Sequence, residues 1–164
     1  MQFSKRSFLI SSGVIAAGVG IAFQAFRPKE ARAATAFRVS KSDEEWRKQL
    51  SPRQYAILRN SSTEIPGSSE LNYEKRTGVY VCAGCENRLY SSRHKYESGT
   101  GWPSFWQPLD NSVGQKVDYD IGYPRTEIHC GDCGGHLGHV FSDGPKPTGK
   151  RYCMNGDAME FWAA

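Results

Sequence analysis

The segment Gly78-Val79-Tyr80-Val81-Cys82-Ala83-Gly84-Cys85 carries the features that decide the fold. Its first half has the β-branched and aromatic composition of a strand, and its second half is a cysteine pair on a tight turn. A second pair, Cys130-Gly131-Asp132-Cys133, follows after 44 intervening residues, 86–129. Two such turns that face each other supply four thiolates, the tetrahedral ligand set that structural zinc favours. The pairs therefore predict one zinc site that joins the two ends of residues 86–129.

Residues 1–33 have the composition of an export signal. Residues 4–10, Ser-Lys-Arg-Ser-Phe-Leu-Ile, begin with a basic pair, residues 8–26 are weakly apolar, and Ala31-Arg32-Ala33 fits the small-x-small cleavage rule. The basic pair resembles a twin-arginine signal with Lys5 in place of the first arginine. We therefore expect an exported protein, periplasmic or extracellular. An uncleaved membrane anchor is the alternative, because a span needs about 20 residues.

The charge distribution also divides the chain after residue 33. The whole sequence has a formal net charge of +4, from 21 Lys and Arg against 17 Asp and Glu. Five of those basic residues and one acidic residue lie in 1–33, so 16 of each remain in residues 34–164. A nucleic-acid interface depends on an excess of Lys and Arg. We therefore expect no nucleic-acid partner for a mature chain from about Ala34, and no stable membrane association after cleavage.

Two other interpretations of the cysteine pairs stay open. Disulfides are expected in an exported chain, and a Cys-x-x-Cys pair can also be a thioredoxin-type redox site. The redox site should open a helix after a strand in a βαβ pattern, which the sequence does not show. Twin-arginine export moves folded proteins, so zinc could bind in the reducing cytoplasm before translocation.

Residues 42–164 form the predicted domain, after a flexible segment at 34–41. A capping box that begins at Ser42 predicts a short helix at about 43–50. Ser51 followed by a first-turn proline, Pro52, predicts a second helix from 52 to about 59. Residues 60–71 are rich in Ser, Pro, Gly and Glu and predict a loop. Short strands are predicted at 78–81, 88–91, 116–120, 126–129, 139–141 and 151–153. The pattern indicates a mostly β domain of antiparallel strands behind a small helical front.

Cys153 is the fifth cysteine and lies in neither pair. A free thiol has a pKa of about 8.5 and attacks as the thiolate, so it needs activation. Arg151 and Asn155 lie two residues before and after it, which places them on the same face of a strand. His136 and His139 could supply a general acid and a local positive charge. The alternative is a buried core cysteine with structural histidines.

The loop at residues 99–106, Gly-Thr-Gly-Trp-Pro-Ser-Phe-Trp, contains three aromatic residues between glycines and a proline. Trp102 in such a loop could be part of the core. It could also form an apolar wall for a small ligand that carries a methyl group.

Together these segments resemble the methionine-R-sulfoxide reductase family, also called MsrB or the SelR domain. The resemblance covers about residues 43–162, and its motifs are Gly78–Tyr80, the two cysteine pairs, Tyr96–Phe105, His136–Pro145 and Arg151–Asn155. It implies a compact, zinc-stapled domain of two small antiparallel sheets with short N-terminal helices. It also implies reduction of methionine-R-sulfoxide, preferably peptide-bound, to methionine.

The resemblance implies a role for each candidate residue. Cys153 would attack the sulfoxide sulfur and become a sulfenic acid. Three polar residues would bind or protonate the sulfoxide oxygen: His136, His139 and Asn155. Four more would hold the methyl group or orient the site: Trp102, Phe105, Arg151 and Asp143. One structural Zn²⁺ would be bound by the paired thiolates: Cys82, Cys85, Cys130 and Cys133.

Thr100 stands where many members of that family carry a second, resolving cysteine. With four cysteines assigned to zinc, no internal thiol remains to reduce a sulfenic acid at Cys153. The resemblance therefore implies an external reductant, either a thioredoxin-like protein or a small thiol, and we expect a monomer. Two rival functions are a secreted zinc-binding interaction domain without activity and a thiol–disulfide oxidoreductase. The first leaves Cys153 and the tryptophan loop unexplained, and the second lacks a partner for Cys153.

Overall fold

The computed structural model describes residues 37–164. The predicted export signal and residues 34–36 lie outside the described residues. Within 37–164, no helix is long and apolar enough to cross a membrane. In the described part of the chain, two short helices precede nine strands in two antiparallel sheets, which confirms the predicted mostly β fold.

The two helices begin at the predicted caps. Helix α1 (Asp43–Gln49) starts with a capping box between Ser42 and Glu45, and α2 (Pro52–Asn60) starts with one at Ser51. In each box, the serine hydroxyl accepts the third backbone N–H while the third side chain accepts the N-cap N–H, so two otherwise unpaired donors are satisfied. The helices bury one apolar face each: Trp46 from α1, and Tyr55, Ile57 and Leu58 from α2.

The strands form a three-stranded and a six-stranded sheet. The first has the order β2-β1-β9 and the second the order β3-β4-β8-β7-β6-β5. The strands are β1 (Gly78–Cys82), β2 (Arg88–Ser91), β3 (Lys95–Tyr96), β4 (Ser104–Phe105), β5 (Val113–Asp118), β6 (Arg125–Cys130), β7 (His136–Phe141), β8 (Arg151–Met154) and β9 (Met159–Ala163). Short 3₁₀ turns lie at Glu70–Asn72, Ser92–His94 and Gly156–Ala158.

Three strands were not predicted from the sequence. Strands β3 and β4 have two residues each, which is too short for an alternating pattern to appear. Strand β9 pairs with β1 along its whole length, from Gly78 opposite Ala163 to Cys82 opposite Met159. This pairing joins segments that are far apart in the chain, so no local sequence pattern indicates it.

Phe105 lies in the hydrophobic core and not at a surface that could meet a ligand. Its side chain is 0% exposed and stacks on Tyr90 with ring centroids 4.3 Å apart. On strand β4, Ser104 is opposite Cys153 in the register, and successive side chains point to opposite faces. The expectation that Phe105 binds substrate is therefore corrected: Ser104 faces the Cys153 side, and Phe105 faces the core.

Residues 37–41 have neither helix nor strand, yet they contact the second cysteine turn. The Val39 N–H donates to the Asp132 carbonyl (2.9 Å), and Arg38 forms an ion pair with the Asp132 carboxylate. The ring of Phe37 lies edge-on to His129 with centroids 5.6 Å apart. The described end of the segment predicted as flexible is thus packed on the domain.

Candidate active site and metal site

The four paired cysteines converge at the junction of the two sheets. Their sulfur atoms all lie within 4.8 Å of one another, with Cys82 and Cys133 3.7 Å apart and Cys85 and Cys130 3.5 Å apart. Thiolates at about 2.3 Å from a central zinc would be about 3.8 Å apart, which matches these separations. All four cysteines are free thiols, so the structure does not contain the alternative disulfides. The cluster fits a tetrahedral metal ion.

Backbone hydrogen bonds shape both cysteine turns. The Cys82 carbonyl accepts from the N–H groups of Cys85 and Glu86, and the Cys130 carbonyl accepts from Gly134. The Asn87 side-chain amide donates to the Cys130 sulfur (3.4 Å), which stabilises the negative charge that four thiolates concentrate here. Cys82 ends β1 and Cys130 ends β6, so a metal ion at this cluster would tie the two sheets together.

A second group of polar side chains shares one face of the six-stranded sheet. In the register, Cys153 on β8 is opposite His139 on β7, and His139 is opposite Glu127 on β6. Residues directly opposite in a sheet project to the same face. Asp118 on β5 joins them, because its carboxylate contacts the His139 ring. Four neighbouring strands therefore bring one thiol, one imidazole and two carboxylates together.

Cys153 lies in a small cleft on this face. The cleft has a volume of about 120 Å³, well below the roughly 300–1,000 Å³ of clefts that hold drug-sized ligands. It is lined by Thr63, Trp102, Arg125, Gly138, His139, Phe141, Cys153 and Asn155. The size suits one side chain of a ligand, and the lining combines an indole and a phenyl ring with polar groups near a thiol.

Gly138 is required for the close approach of β7 and β8 beneath the cleft. A Cβ atom at this position would lie 2.1 Å from the Cys153 carbonyl oxygen and 3.0 Å from the Met154 Cα atom. Both neighbours are backbone atoms that cannot move aside. A side chain here would push the two strands apart and separate Cys153 from His139.

The Cys153 thiol is half-buried, and burial raises its pKa above the ordinary value. Hydrogen bonding from Thr100 and the positive charge of Arg151 oppose this rise without cancelling it. Burial also lowers the pKa of His139, which makes its imidazolium a stronger acid than an exposed one. The resting thiol is therefore protonated at neutral pH, and Arg151 is the cation that favours its thiolate.

Three hydroxyl groups form a chain that ends at the thiol. The Ser98 oxygen lies 2.7 Å from that of buried Ser104 and 2.8 Å from that of Thr100, and the Thr100 oxygen lies 3.8 Å from the Cys153 sulfur. Ser104 also donates to the Trp102 carbonyl (3.1 Å). These hydroxyl groups link the loop that carries Trp102 to the Cys153 sulfur.

His139 is held by Asp118. Its Nε2 atom lies 2.7 Å from Oδ2 of Asp118, which also accepts from Arg125 (2.6 Å). The Asp120 N–H and the His139 ring hold the pKa of Asp118 well below its usual range, so it is ionised. An ionised carboxylate accepts hydrogen bonds only, so Nε2 carries a proton and Nδ1 is the variable position.

A β-bulge brings His136 to the same side as His139. Residues three apart on a regular strand face opposite sides, but the pairing of β6 and β7 skips Leu137: Ile128 is opposite Gly138, and His129 is opposite His136. The two imidazole centroids are consequently 5.4 Å apart. His136 is only 3% exposed and does not line the cleft. His136 therefore lies next to His139 but outside the cleft lining, and its role in binding or protonating a sulfoxide oxygen stays a prediction.

Glu127 is the neighbour of His136. The His136 Nδ1 atom lies 3.1 Å from Oε1 of Glu127, at ion-pair distance but without hydrogen-bond alignment, and we regard the contact as electrostatic. Burial raises the pKa of Glu127, but His136 and Lys116 outweigh it, so the net shift is downward. Glu127 and His136 therefore form a second carboxylate–imidazole pair next to the pair of Asp118 and His139.

Trp102 and Asn155 line the cleft from opposite segments. The Trp102 indole N–H donates to the Glu64 carbonyl (3.3 Å), and the Asn155 Oδ1 atom accepts from the Glu64 N–H (3.0 Å). The Asn155 side-chain nitrogen donates to the Leu137 carbonyl (3.1 Å). These contacts fix the orientation of both side chains.

Arg151 and Asp143 form an ion pair outside the cleft. The guanidinium donates two hydrogen bonds of 2.9 Å to the two carboxylate oxygens of Asp143. It also lies 4.4 Å from the ring centroid of Phe141, which lines the cleft. Arg151 thus packs against Phe141 and lowers the pKa of Cys153 by its charge, and Asp143 holds the guanidinium in place. The predicted role of the two residues as orienting groups stays a prediction.

Comparison with known proteins identifies the family of this chain. The SelR domain family matches residues 50–163. The chain belongs to the SelR domain family. One relative, the peptide methionine sulfoxide reductase MsrB of Leptospira interrogans serogroup Icterohaemorrhagiae serovar Lai (strain 56601), is 53% identical over 126 residues, which cover 76% of this chain and 96% of that protein.

Two further relatives carry the same name. The protein of Bradyrhizobium diazoefficiens is 53% identical over 124 residues, with 75% of this chain and 89% of its own length covered. That of Methanosarcina barkeri is 52% identical over 124 residues, with 75% and 87% covered. The similarity therefore spans nearly the full length of these relatives.

The site of this SelR domain contains residues that the sequence analysis did not identify. They are Thr63, Glu64, Arg125, Glu127, Asp118 and Phe141. Charged residues alternate at Lys116, Asp118 and Asp120, and this pattern indicates one polar face for the strand predicted at 116–120. Thr63 and Glu64 gave no signal, because they lie in a segment without regular structure.

Proposed function

We propose that this SelR domain protein is a peptide-methionine (R)-S-oxide reductase that uses Cys153 as its nucleophile. The observation that carries the proposal is the small cleft in which the Cys153 thiol, His139, Asn155 and Trp102 meet. The similarity to peptide methionine sulfoxide reductases over most of their length supports the same enzyme class. The substrate is an oxidised methionine side chain in a peptide or protein, whose size suits the cleft.

The first chemical step transfers oxygen from substrate to enzyme. The Cys153 sulfur attacks the sulfoxide sulfur while the sulfoxide oxygen is protonated, and an S–S bond forms to a substrate sulfur that still carries the resulting OH group. The OH group then moves to the Cys153 sulfur as the S–S and S–O bonds to the methionine sulfur break. The balance is a thiol plus a sulfoxide giving a sulfenic acid plus a thioether. Protonation of the oxygen makes the sulfoxide sulfur more electrophilic, which a half-buried thiol requires.

His139 is proposed as the proton donor and Asn155 as a hydrogen-bond donor to the oxygen. A pKa that burial lowers makes the imidazolium of His139 a strong acid at neutral pH, and Asp118 keeps the ring in place. The Asn155 amide has two N–H groups, and one is used on Leu137. Trp102 and Phe141 provide apolar surface for the methyl group, and this contact selects the R epimer.

An external thiol is proposed to regenerate Cys153. The thiol condenses with the sulfenic acid to a mixed disulfide and water, and a second thiol releases the free enzyme as it forms a disulfide. Thr100 supports this route, because a hydroxyl group and not a thiol lies 3.8 Å from Cys153. After one turnover without reductant, a sulfenic acid that dimedone traps is expected. A disulfide between Cys153 and any of the four cluster cysteines would reject this route.

Zinc is proposed as the metal of the four-cysteine cluster. The sulfur–sulfur separations and the thiolate donor set fit tetrahedral zinc, and four protein ligands leave no open position for substrate. The ion would stabilise the junction of the sheets. Metal analysis of the purified protein, with about one zinc per chain expected, tests the assignment.

Export is proposed from the leader alone. Residues 1–33 combine a Lys-Arg pair, an apolar stretch and a cleavage motif. Fractionation of cells that produce the full chain should recover the mature protein outside the cytoplasm, beginning near Ala34. Replacement of Lys5 and Arg6 by Gln should leave it in the cytoplasm if the twin-arginine route is used.

An epimer-specific assay tests the enzyme proposal. Peptides with R- or S-methionine sulfoxide are incubated with protein and dithiothreitol, and only the R epimer should be reduced. Cys153→Ser should abolish turnover while it retains zinc and folding. No reduction of either epimer by the zinc-loaded protein would favour the inactive binding domain, and oxidation of a dithiol substrate would favour the thiol–disulfide oxidoreductase.

A further inference from the structure

Glu64 contacts both walls of the cleft through its main chain. Its N–H donates to Oδ1 of Asn155 (3.0 Å), and its carbonyl accepts from the indole of Trp102 (3.3 Å). The preceding residue, Thr63, lines the cleft itself. The position of the Glu64 main chain thus determines where the Asn155 amide and the Trp102 indole lie.

The side chain of Glu64 fixes that main chain from the other side. Its carboxylate is buried, with the residue 6% exposed, and accepts two backbone N–H groups: Oε1 from Gly156 (2.8 Å) and Oε2 from Asp157 (2.8 Å). Gly156 and Asp157 begin the 3₁₀ turn that follows Asn155 directly. A buried carboxylate is costly without partners, and bonds from backbone N–H groups to a charged acceptor are strong.

The fit around this carboxylate depends on a residue without a side chain. A Cβ atom at Gly156 would lie 1.9 Å from the Ser69 hydroxyl oxygen and 3.4 Å from Oε1 of Glu64. Arg53 forms an ion pair with Asp157 (2.8 Å) on the outer side of the same turn. The carboxylate therefore connects residue 64 to the first two residues of the turn, and the backbone that it holds is continuous with Asn155.

We propose that Glu64 is a positioning residue for sulfoxide reduction: its carboxylate locks the turn after Asn155, and its main chain sets the Asn155 amide and the Trp102 indole. The inference rests on the proposed function. With Oδ1 occupied by Glu64 and one N–H occupied by Leu137, the amide cannot flip, and its second N–H is available to the sulfoxide oxygen. A loosened amide would lower the rate with sulfoxide but would not alter the intrinsic reactivity of the Cys153 thiol.

Glu64→Gln tests this role with little change of shape. The amide NH₂ group would face a backbone N–H, so one of the two hydrogen bonds is replaced by a repulsive contact. We expect kcat/KM for an R-sulfoxide peptide to fall about tenfold or more, as misplacement of binding groups does. The rate at which iodoacetamide alkylates Cys153, measured on the same zinc-loaded and folded protein, should stay within about twofold of wild type.

Two further variants make the outcome decisive. Glu74→Gln is the matched control: the Glu74 carboxylate is 12% exposed, pairs with Arg76 and does not line the cleft, so wild-type kinetics are expected.

Glu64→Asp keeps the negative charge but has a shorter side chain, so it should give an intermediate loss of kcat/KM. It also provides the test if Glu64→Gln does not fold. Unchanged kcat/KM in the Glu64 variants, or equal losses of reduction and alkylation, would overturn the positioning role. Failure of the wild type to reduce R-sulfoxide would instead reject the proposed function.

Discussion

The hydroxyl oxygen of Thr100 lies 3.8 Å from the sulfur of Cys153 and completes a chain of hydroxyls from Ser104 through Ser98. Burial raises the pKa of the Cys153 thiol, and the hydrogen bond from Thr100 is among the contacts that lower it, together with Arg151. A residue that offers no resolving thiol therefore still acts on the reactive sulfur. The contact is suited to stabilise a thiolate and, after oxygen transfer, a sulfenic acid.

Thr100→Val should raise the pKa of the Cys153 thiol, because the variant keeps the side-chain shape and removes the hydrogen bond. One such bond is worth about 0.5–1.5 kcal/mol, so alkylation near neutral pH should slow roughly two- to tenfold. The measurement is the pH dependence of alkylation by iodoacetamide. Thr100→Ser keeps the hydroxyl and should remain near wild type, whereas identical profiles for all three proteins would show that the contact has no effect.

Asp118→Asn should move the basic limb of the pH–rate profile to lower pH. Burial lowers the pKa of His139, and the hydrogen bond from Asp118 opposes that shift. Without the carboxylate the pKa of His139 falls further, the imidazolium is lost at a lower pH, and a reaction that needs it slows at neutral pH. The contribution of a general acid is roughly 10²–10⁴-fold. The profile of kcat/KM between about pH 5 and 9 measures the shift.

Asp120→Asn is the control for Asp118→Asn. The two residues are two positions apart, but the Asp120 side chain is exposed and only its N–H contacts Asp118. Its profile should coincide with that of wild type. A basic limb that stays in place in Asp118→Asn would remove His139 from the role of proton donor.

Acid should lower the stability of the fold through the titration of His139 and Asp118. The pKa values of His139 and Asp118 are both lowered in the folded state. Below their ordinary values, about 6.5 and 3.9, the unfolded chain binds more protons than the folded one. Their contribution to stability is therefore fully present above those values and is lost as the pH falls from each ordinary value through the lower pKa of the folded state. Urea unfolding at about pH 7.5 and 5 should show the His139 part of this loss, and His139→Gln should reduce it.

Cys85→Ser should lose the metal and much of its stability, while Cys153→Ser should lose neither. The cluster joins β1 to β6, and a structural metal site contributes its binding energy to folding. The expected loss is several kcal/mol of the roughly 5–15 kcal/mol that stabilise a domain. Zinc content and thermal unfolding measure it. A metal-free Cys85→Ser protein with wild-type stability would contradict a structural role for the cluster.

Much of the fold was predictable because its signals are local. The capping serines Ser42 and Ser51 start the helices where they were expected, since a cap depends on residues within one turn. The longer strands carry β-branched and aromatic residues, and their positions were predicted within a few residues. Strand β9 was not, because it forms by pairing with β1 across most of the domain.

The residues of the candidate site also fall into two groups, those with a local signal in the sequence and those without one. Cys153 was identified because it is the fifth cysteine of a chain whose other four form pairs, and Trp102 because its loop is rich in glycine and aromatic residues. Asp118 and Glu64 were missed. Their contacts with His139, Asn155 and Trp102 cross between elements, and no spacing in the sequence encodes such a contact.

The sequence by itself determined which residue types this protein brings to chemistry: four cysteines in two turns, one more cysteine, and two histidines three residues apart. Only the tertiary structure decided how they are used. The bulge at Leu137 turns His136 to the side of His139, strand register sends Ser104 toward Cys153 and Phe105 into the core, and burial raises the pKa of the thiol. These outcomes depend on register and on exclusion from water, which arise only when distant strands pack together.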